Sequence, residues 1–290
     1  MDSIPEKILS AANAKSRRVK ELVRAPEILV MPGAYDVLSA LLFEQLGFQA
    51  IQGTSGGIAA VCGLPDGEVI GRNRFVEVTG QMAAAVSVPV NADGERGYGD
   101  AQQISETVRS LVQVGCAGMN LEDCTSKQKN QPRRLVDLSE QLEKIGALLE
   151  AKRLLRSEFF LNARVDALTV MADDAKRGLE EAILRGNAYA EAGADCIFFM
   201  NAVSKETISR LVQEVRAPVS VLAGPKTPSV TELQDLGVAR VSYGSAFLKA
   251  AIGAVRRLTL EIRDTGTITA LKDGMQTPEV AALIAERGQV

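Results

Sequence analysis

The sequence has no histidine. That absence excludes Ser-His-Asp catalysis, a histidine general base, and His-ligated zinc or iron. Its four cysteines, Cys62, Cys116, Cys124 and Cys196, form no CxxC pair, so thiolate metal-ligand spacing is missing too. Neither sign of charge is in excess: 33 basic residues against 36 acidic ones leave a net charge of −3. Such a balance gives no broad field to attract nucleic acid or an anionic membrane, and neither partner is expected. The basic clusters at Lys15 to Arg18 and at Arg256-Arg257 read as solvated helix faces. No apolar run reaches the roughly 18 residues of a membrane span. Met1 to Ile4 show neither a basic nor an apolar leader region. The expectation is a soluble, cytoplasmic chain with free thiols. Acid–base work must fall to Asp, Glu, Lys, Tyr, Cys or water.

What is present is a repeated unit. A helical pattern ends at a glycine, two or three residues follow, and a short apolar run begins. Gly47 precedes Ala50-Ile51-Gln52, Gly115 precedes 117–121, Gly193 precedes 195–199, and Gly237 precedes 238–242. Glycine just past a helix is the usual stop, because its backbone accepts the left-handed conformation. Runs at 27–31, 87–92, 159–163 and 217–222 complete eight strands, each followed by a helical pattern. Strand–helix alternation implies a parallel sheet, and eight units in a chain of 290 residues imply a closed (β/α)8 TIM-type barrel. A leading helix is expected over 5–24, with Ile8, Leu9, Ala12, Val19, Leu22 and Val23 on its buried face. A second is expected over Asp36 to Leu46, with Asp36 at its start. No linker divides the chain, so one domain is expected over 1–290. The barrel would cover about 26–260 and a C-terminal helical extension 261–290, with a last helix over Pro278 to Arg287.

In such barrels function gathers at the C-terminal strand ends. The stretch VPVNADGERGYGD (88–100) is an apolar strand that delivers Asp93-x-Glu95 into a glycine-rich turn. Two carboxylates facing one side of a strand end repel unless a cation lies between them. Read alone, the pair either binds a cation or is solvated. Other strand ends add Tyr35-Asp36, Ser55-Gly56-Gly57, Asp66, Glu122-Asp123-Cys124, Asn162 to Asp166, and Ser242-Tyr243. Acids on three strands with an arginine on a fourth suit Mg²⁺, or Mn²⁺ as the alternative, beside a small anionic 2-oxo or 2-hydroxy carboxylate. Arg164 either clamps a substrate carboxylate or pairs with Asp166 or Glu122; its strand-end position favours the clamp. Cys124 reads as a buried thiol rather than a proton donor, and Ser242 and Tyr243 read as barrel-top packing. The cations Lys127, Lys129, Arg133 and Arg134 fit a solvated loop and a closing lid equally well.

These motifs resemble the isocitrate lyase/phosphoenolpyruvate mutase superfamily along nearly the whole chain. PGAYDVLSA (32–40), GTSGGIAAVCGLPDGE (53–68), VPVNADGERGYGD, GMNLED (118–123), NARVDA (162–167), EAGADCIFF (191–199) and GVARVSYGS (237–245) carry the likeness. The resemblance implies a (β/α)8 barrel, Mg²⁺, and a dimer or homotetramer in which a C-terminal helix is exchanged between subunits. It makes Asp93 the direct Mg²⁺ ligand, Glu95 and Glu122 ligands through water, and Asp66 a residue one step further out. Tyr35, Ser55, Gly56, Gly57 and Arg164 would hold the substrate's carboxylate end, with Asp66 and Asp93 beside it. Tyr35, Glu122, Asn130 and Arg164 would carry the chemistry.

The sequence departs from the family pattern in two places. Asp93-x-Glu95 replaces the commoner Asp-x-Asp. In the loop after Glu122, the catalytic cysteine of the lyases that cleave isocitrate or methylisocitrate is absent. Asn130 stands at that offset, as it does in phosphonate-forming mutases. A Mg²⁺-dependent lyase or decarboxylase working through a pyruvate-type enolate is the first expectation. Phosphoenolpyruvate mutase or phosphonopyruvate hydrolase chemistry is the second, and a 2-oxo acid-binding barrel with low turnover the third.

Overall fold

The computed structural model describes residues 4–125 and 132–285. In chain order the strands are β1 (Leu29–Met31), β2 (Gly33–Ala34), β3 (Ile51–Gly53), β4 (Val90–Asp93), β5 (Gly118–Glu122), β6 (Phe160–Val165), β7 (Cys196–Phe199), β8 (Val219–Leu222) and β9 (Arg240–Ser242). All pair in parallel, and β1 and β2 are one barrel strand interrupted at Pro32, which has no N–H to give to the ladder. β1 pairs with β9 and β2 with β3, so the sheet closes on itself. The chain is a (β/α)8 barrel, as the spacing of its glycines and apolar runs requires.

The glycine stops behave as expected: Gly47, Gly115, Gly193 and Gly237 all have positive φ. Helix α1 (Glu6–Arg24) precedes the barrel and buries Ala12, Ser16, Val19, Leu22 and Val23. Ile8 is exposed instead, while Leu9 is partly buried against the main core. Val19, Leu22 and Val23 pack with Leu29, Ala50, Ala117, Phe160 and Cys196, residues at or just before the starts of their strands. The Ser16 hydroxyl donates to the Ala117 carbonyl at 2.7 Å. The leading helix therefore plugs the N-terminal mouth and leaves the opposite end open. Helix α2 (Val37–Gln45) starts from a reciprocal cap between Asp36 and Ser39.

In chain order the further α-helices are α3 (Ser55–Val61), α4 (Arg72–Ala85), α5 (Ala101–Gln113), α6 (Leu138–Leu154), α7 (Ala167–Val170), α8 (Ala175–Ala192), α9 (Lys205–Glu214), α10 (Val230–Asp235), α11 (Ala246–Thr265) and α12 (Thr277–Ala285). α11 ends at Gly266, in the left-handed conformation. α12 turns back onto α2, and its Leu283 joins the main core. No described helix is long and apolar enough to cross a membrane.

Candidate active site

The C-terminal mouth holds a cavity of about 540 Å³. Its acidic wall comes from the β3–β5 side, with Ser55, Gly56, Asp66, Asp93 and Asn120. Arg133 and Arg164 supply positive charge, and the β7–β9 side contributes Phe198, Met200, Leu222, Ser242 and Tyr243. Ser242 and Tyr243, expected as packing, thus form part of the wall.

Each charged group is held by its neighbours. Asp93 ends β4, and its Oδ2 accepts from the Ser55 hydroxyl at 2.8 Å and from the Ser55 N–H at 3.3 Å. The turn expected to receive an oxyanion therefore gives its first donor to Asp93. Gly56 leaves room beside Asp66, since a Cβ there would come within 3.3 Å of that carboxyl. Glu95 is 4% exposed and adopts a left-handed backbone, φ 46°. Tyr98 stacks on Phe75 and donates its hydroxyl to Glu95 at 3.2 Å. Burial first, then the charges of Asp66 and Asp93, push Glu95 up to about 8. A carboxyl so penalised for its charge is a measure of how much a cation would relieve this cluster.

Opposite lies an ion-pair cluster. Arg164 grips Asp166 with two bonds of 2.8 and 2.9 Å and reaches Glu122 at 2.6 Å. Arg133 lies 3.6 Å from Asp166. Burial pushes Glu122 upward and the Arg164 guanidinium pulls it back. Asp166 is fixed in turn, because its N–H donates to Asp123. Asp123 also accepts from Tyr189 at 2.8 Å and pairs with Arg185 at 3.2 Å. The pairing read for Arg164 is present with both Asp166 and Glu122, and the same residue lines the cavity.

Two sets of acidic groups come into question for a metal, and only one of them brings three donor atoms within ligating distance among the described residues. Donor atoms of Glu122, Cys124 and Asp166 lie within 4.8 Å of one another. That set is the poorer candidate, because both of its carboxylates are already ion-paired with Arg164. Burial and then Glu122 raise the Cys124 thiol, so it keeps its proton. Asp66, Asp93 and Glu95 form the second set, with Glu122 within electrostatic reach. It is all oxygen and carries a desolvation penalty, which fits a hard divalent cation.

The structure brings together Ser55, Gly56, Asp66, Asp93 and Arg164 on the cavity wall, with Glu95 and Glu122 buried behind it. Tyr35 lines a separate cavity of about 340 Å³ with Cys62 and Arg74. Gly57 faces away from the main cavity; a Cβ there would collide with Thr54 and Tyr35. Asn130, Lys127 and Lys129 lie outside the described residues. Close to them, Thr125 donates its N–H to the Arg134 carbonyl at 2.7 Å.

Reasoning from the sequence named Asp166 as a possible partner of Arg164 but did not single out Tyr98 as the holder of Glu95, or the polar floor of Gln52, Asn91, Asn120, Asn162, Ser220 and Arg240. A signal was present for the floor: each of these residues is a polar position inside an otherwise apolar strand run.

A closed barrel with acids and an arginine at its C-terminal mouth defines an enzyme scaffold for small anions. The chain belongs to the phosphoenolpyruvate phosphomutase family, whose model matches residues 19–263, within the isocitrate lyase/phosphoenolpyruvate mutase superfamily. It is 33% identical over 269 residues to 2-methylisocitrate lyase of Bacillus subtilis, covering 90% of this chain and 85% of that one. It is 30% identical to 2,3-dimethylmalate lyase of Eubacterium barkeri, covering 90% of each. Among solved structures, oxaloacetate acetylhydrolase in complex with the inhibitor 3,3-difluorooxalacetate superposes with a TM-score of 0.85 at 28% identity, covering 94% of each chain.

Proposed function

We propose that the protein is a Mg²⁺-dependent lyase that breaks a carbon–carbon bond in a small 2-oxo or 2-hydroxy carboxylate. The observation that carries this reading is the pairing, across one cavity, of an oxygen-only acid cluster with a buried arginine. Asp93 would hold the ion directly, with Glu95, Glu122 and Asp66 around it. When bound, Mg²⁺ supplies positive charge for the enolate that leaves as the bond breaks. The chain's own residues do the rest. Ser55 keeps one Asp93 oxygen in place, and Tyr98 keeps Glu95 in place. Arg164, its fork fixed by Asp166, presents its remaining N–H groups to a substrate carboxylate, and Arg133 adds a second cation at the wall. The lyase and oxaloacetate names among the relatives and solved structures support this class of substrate.

The experiment is a panel of 2,3-dimethylmalate, 2-methylisocitrate, oxaloacetate and phosphonopyruvate, assayed with Mg²⁺ and with EDTA. Release of a 2-oxo acid or CO₂ with Mg²⁺ alone supports the lyase. Asp93→Ala is expected to lose at least about 10³-fold in kcat/KM, the scale of one removed electrostatic stabiliser. Phosphate from phosphonopyruvate would replace the lyase with phosphorus chemistry, and tight oxalate binding without any product would replace it with a binder. A variant Asp93→Ala that keeps both activity and Mg²⁺ affinity sinks the site assignment.

For the assembly, α11 supplies the supporting observation. Leu248 is the only one of its described residues that is buried, while Phe247, Ile252, Val255 and Ile262 are 36–59% exposed. An apolar stripe on a twenty-residue helix calls for a covering surface. We take a second copy of this chain as the cover.

A further inference from the structure

The floor of the barrel carries a charge that the reaction scheme above does not use. Arg240 is completely buried on β9. The other buried arginines, Arg164 and Arg185, sit in ion pairs; among the described residues no carboxylate pairs with Arg240. Burial lowers its pKa to about 10, which leaves it charged at neutral pH. Burying an unpaired guanidinium costs several kcal/mol. The interior of such a barrel is ordinarily filled by branched apolar side chains, which would avoid that cost.

The surroundings spend every donor group of this arginine on the core. Nη1 donates to the Ser220 hydroxyl at 2.9 Å, Nε lies 2.9 Å from the Met31 sulfur, and Nη2 donates to Gln52 Oε1. The guanidinium carbon lies 5.8 Å from the centre of the Phe198 ring, itself part of the cavity wall. From Gln52 the bonds continue around the barrel. Asn91 Nδ2 donates to Gln52 Oε1 at 2.9 Å and to Asn120 Oδ1 at 3.0 Å. Asn162 donates to the same Asn120 oxygen at 2.8 Å. With its oxygen held from two sides, Asn120 turns its Nδ2 toward Asp93 Oδ1 at 3.4 Å. Gln52 cannot swing away, since its amide N–H groups are bound to the carbonyls of Gly53 and Asn91. The chain of contacts runs from β9 through β3, β4 and β5, and it ends on the oxygen of Asp93 that Ser55 does not hold.

We infer that Arg240 is a positioning residue: through Gln52, Asn91 and Asn120 it fixes the Asp93 carboxylate from beneath for the divalent cation. The inference rests on the proposed metal site at Asp93. Hydrogen bonds behind a ligand typically govern metal affinity by 10–100-fold. Charge alone acts in the opposite direction, because deleting a cation near a cation site strengthens metal binding. The two effects therefore separate by sign.

The test is calorimetric titration of the metal-free protein with Mg²⁺, with thermal melts run in parallel. Arg240→Met removes charge and anchor together, while Gln52→Leu breaks the relay and leaves the charge. Gln52→Leu is expected to raise the Mg²⁺ Kd about tenfold, and Arg240→Met to raise it by less, because its loss of charge partly offsets its loss of the anchor. Arg240→Lys keeps the charge but lacks a fork that reaches Gln52 and Ser220 together, and it is expected to weaken Mg²⁺ binding at least as much as Arg240→Met. Tighter Mg²⁺ binding by Arg240→Met with Gln52→Leu unchanged would overturn the relay in favour of a charge effect. Lower melting temperatures with every Kd unchanged would overturn it in favour of a purely structural arginine. If Arg240→Met does not fold, Gln52→Leu decides. A wild-type protein that binds no Mg²⁺ overturns the metal site itself, and the relay with it.

Discussion

Asp166 matters because Arg164 cannot hold itself. A guanidinium has rotatable bonds behind it and reaches one geometry only when a planar partner fixes its fork. Asp166 is fully buried and takes two of the guanidinium hydrogens. Asp166→Asn keeps the shape but removes the charge and one acceptor. It is expected to lower kcat/KM about 10²-fold by misplacing Arg164 and to destabilise the fold by about 3 kcal/mol, since a buried charge loses its partner. Steady-state kinetics and urea denaturation read the two effects separately, and an unchanged KM would count against the clamp role. At this scale sequence reasoning reached the residue types and offered Asp166 and Glu122 as alternative partners of Arg164; only the side-chain rotamers show that it pairs with both.

The C-terminal extension shows how an element is tied down by a single group. Glu261, near the end of α11, accepts from the Thr267 hydroxyl, from the N–H and hydroxyl of Thr269, and from the Ala270 N–H, at 2.6–3.1 Å. These bonds, Thr269 foremost, hold its carboxyl down at about 2, below the ordinary 4.5. A depressed folded-state pKa contributes stability that is complete above the unfolded value and is lost as the pH falls through the folded one. The clip is therefore expected to hold above about pH 4.5 and to release toward pH 2. Glu261→Gln should open it at neutral pH, read as faster amide hydrogen exchange over 267–270, with the barrel strands unaffected. The helical extension after 261 was legible in the sequence, but the clip was not, because its acceptor lies up to nine residues from its donors.

For the whole molecule the open question is what covers α11. Ile252→Lys combined with Val255→Lys places two charges on its apolar stripe. If a second copy covers the stripe, wild type sediments as an oligomer and the variant shifts to monomer. A wild-type monomer would remove the second copy as the cover. α11 is the eighth barrel helix, yet of its described residues only Leu248 is buried, so most of its apolar side chains face outward.

The sequence by itself determined the eight-unit barrel, because left-handed glycines after helices and apolar runs before turns are local constraints that each segment satisfies alone. It also determined which strand ends carry acids, since parallel strands in such a barrel deliver their C-terminal residues to one mouth. Tertiary structure alone decided which acids crowd one another and which pair with Arg164, because that depends on distances between strands far apart in the chain. It also decided that the barrel floor is polar and charged. Gln52, Asn91, Asn120, Asn162, Ser220 and Arg240 are scattered over nearly two hundred positions, and only closure of the sheet brings their hydrogen bonds within reach.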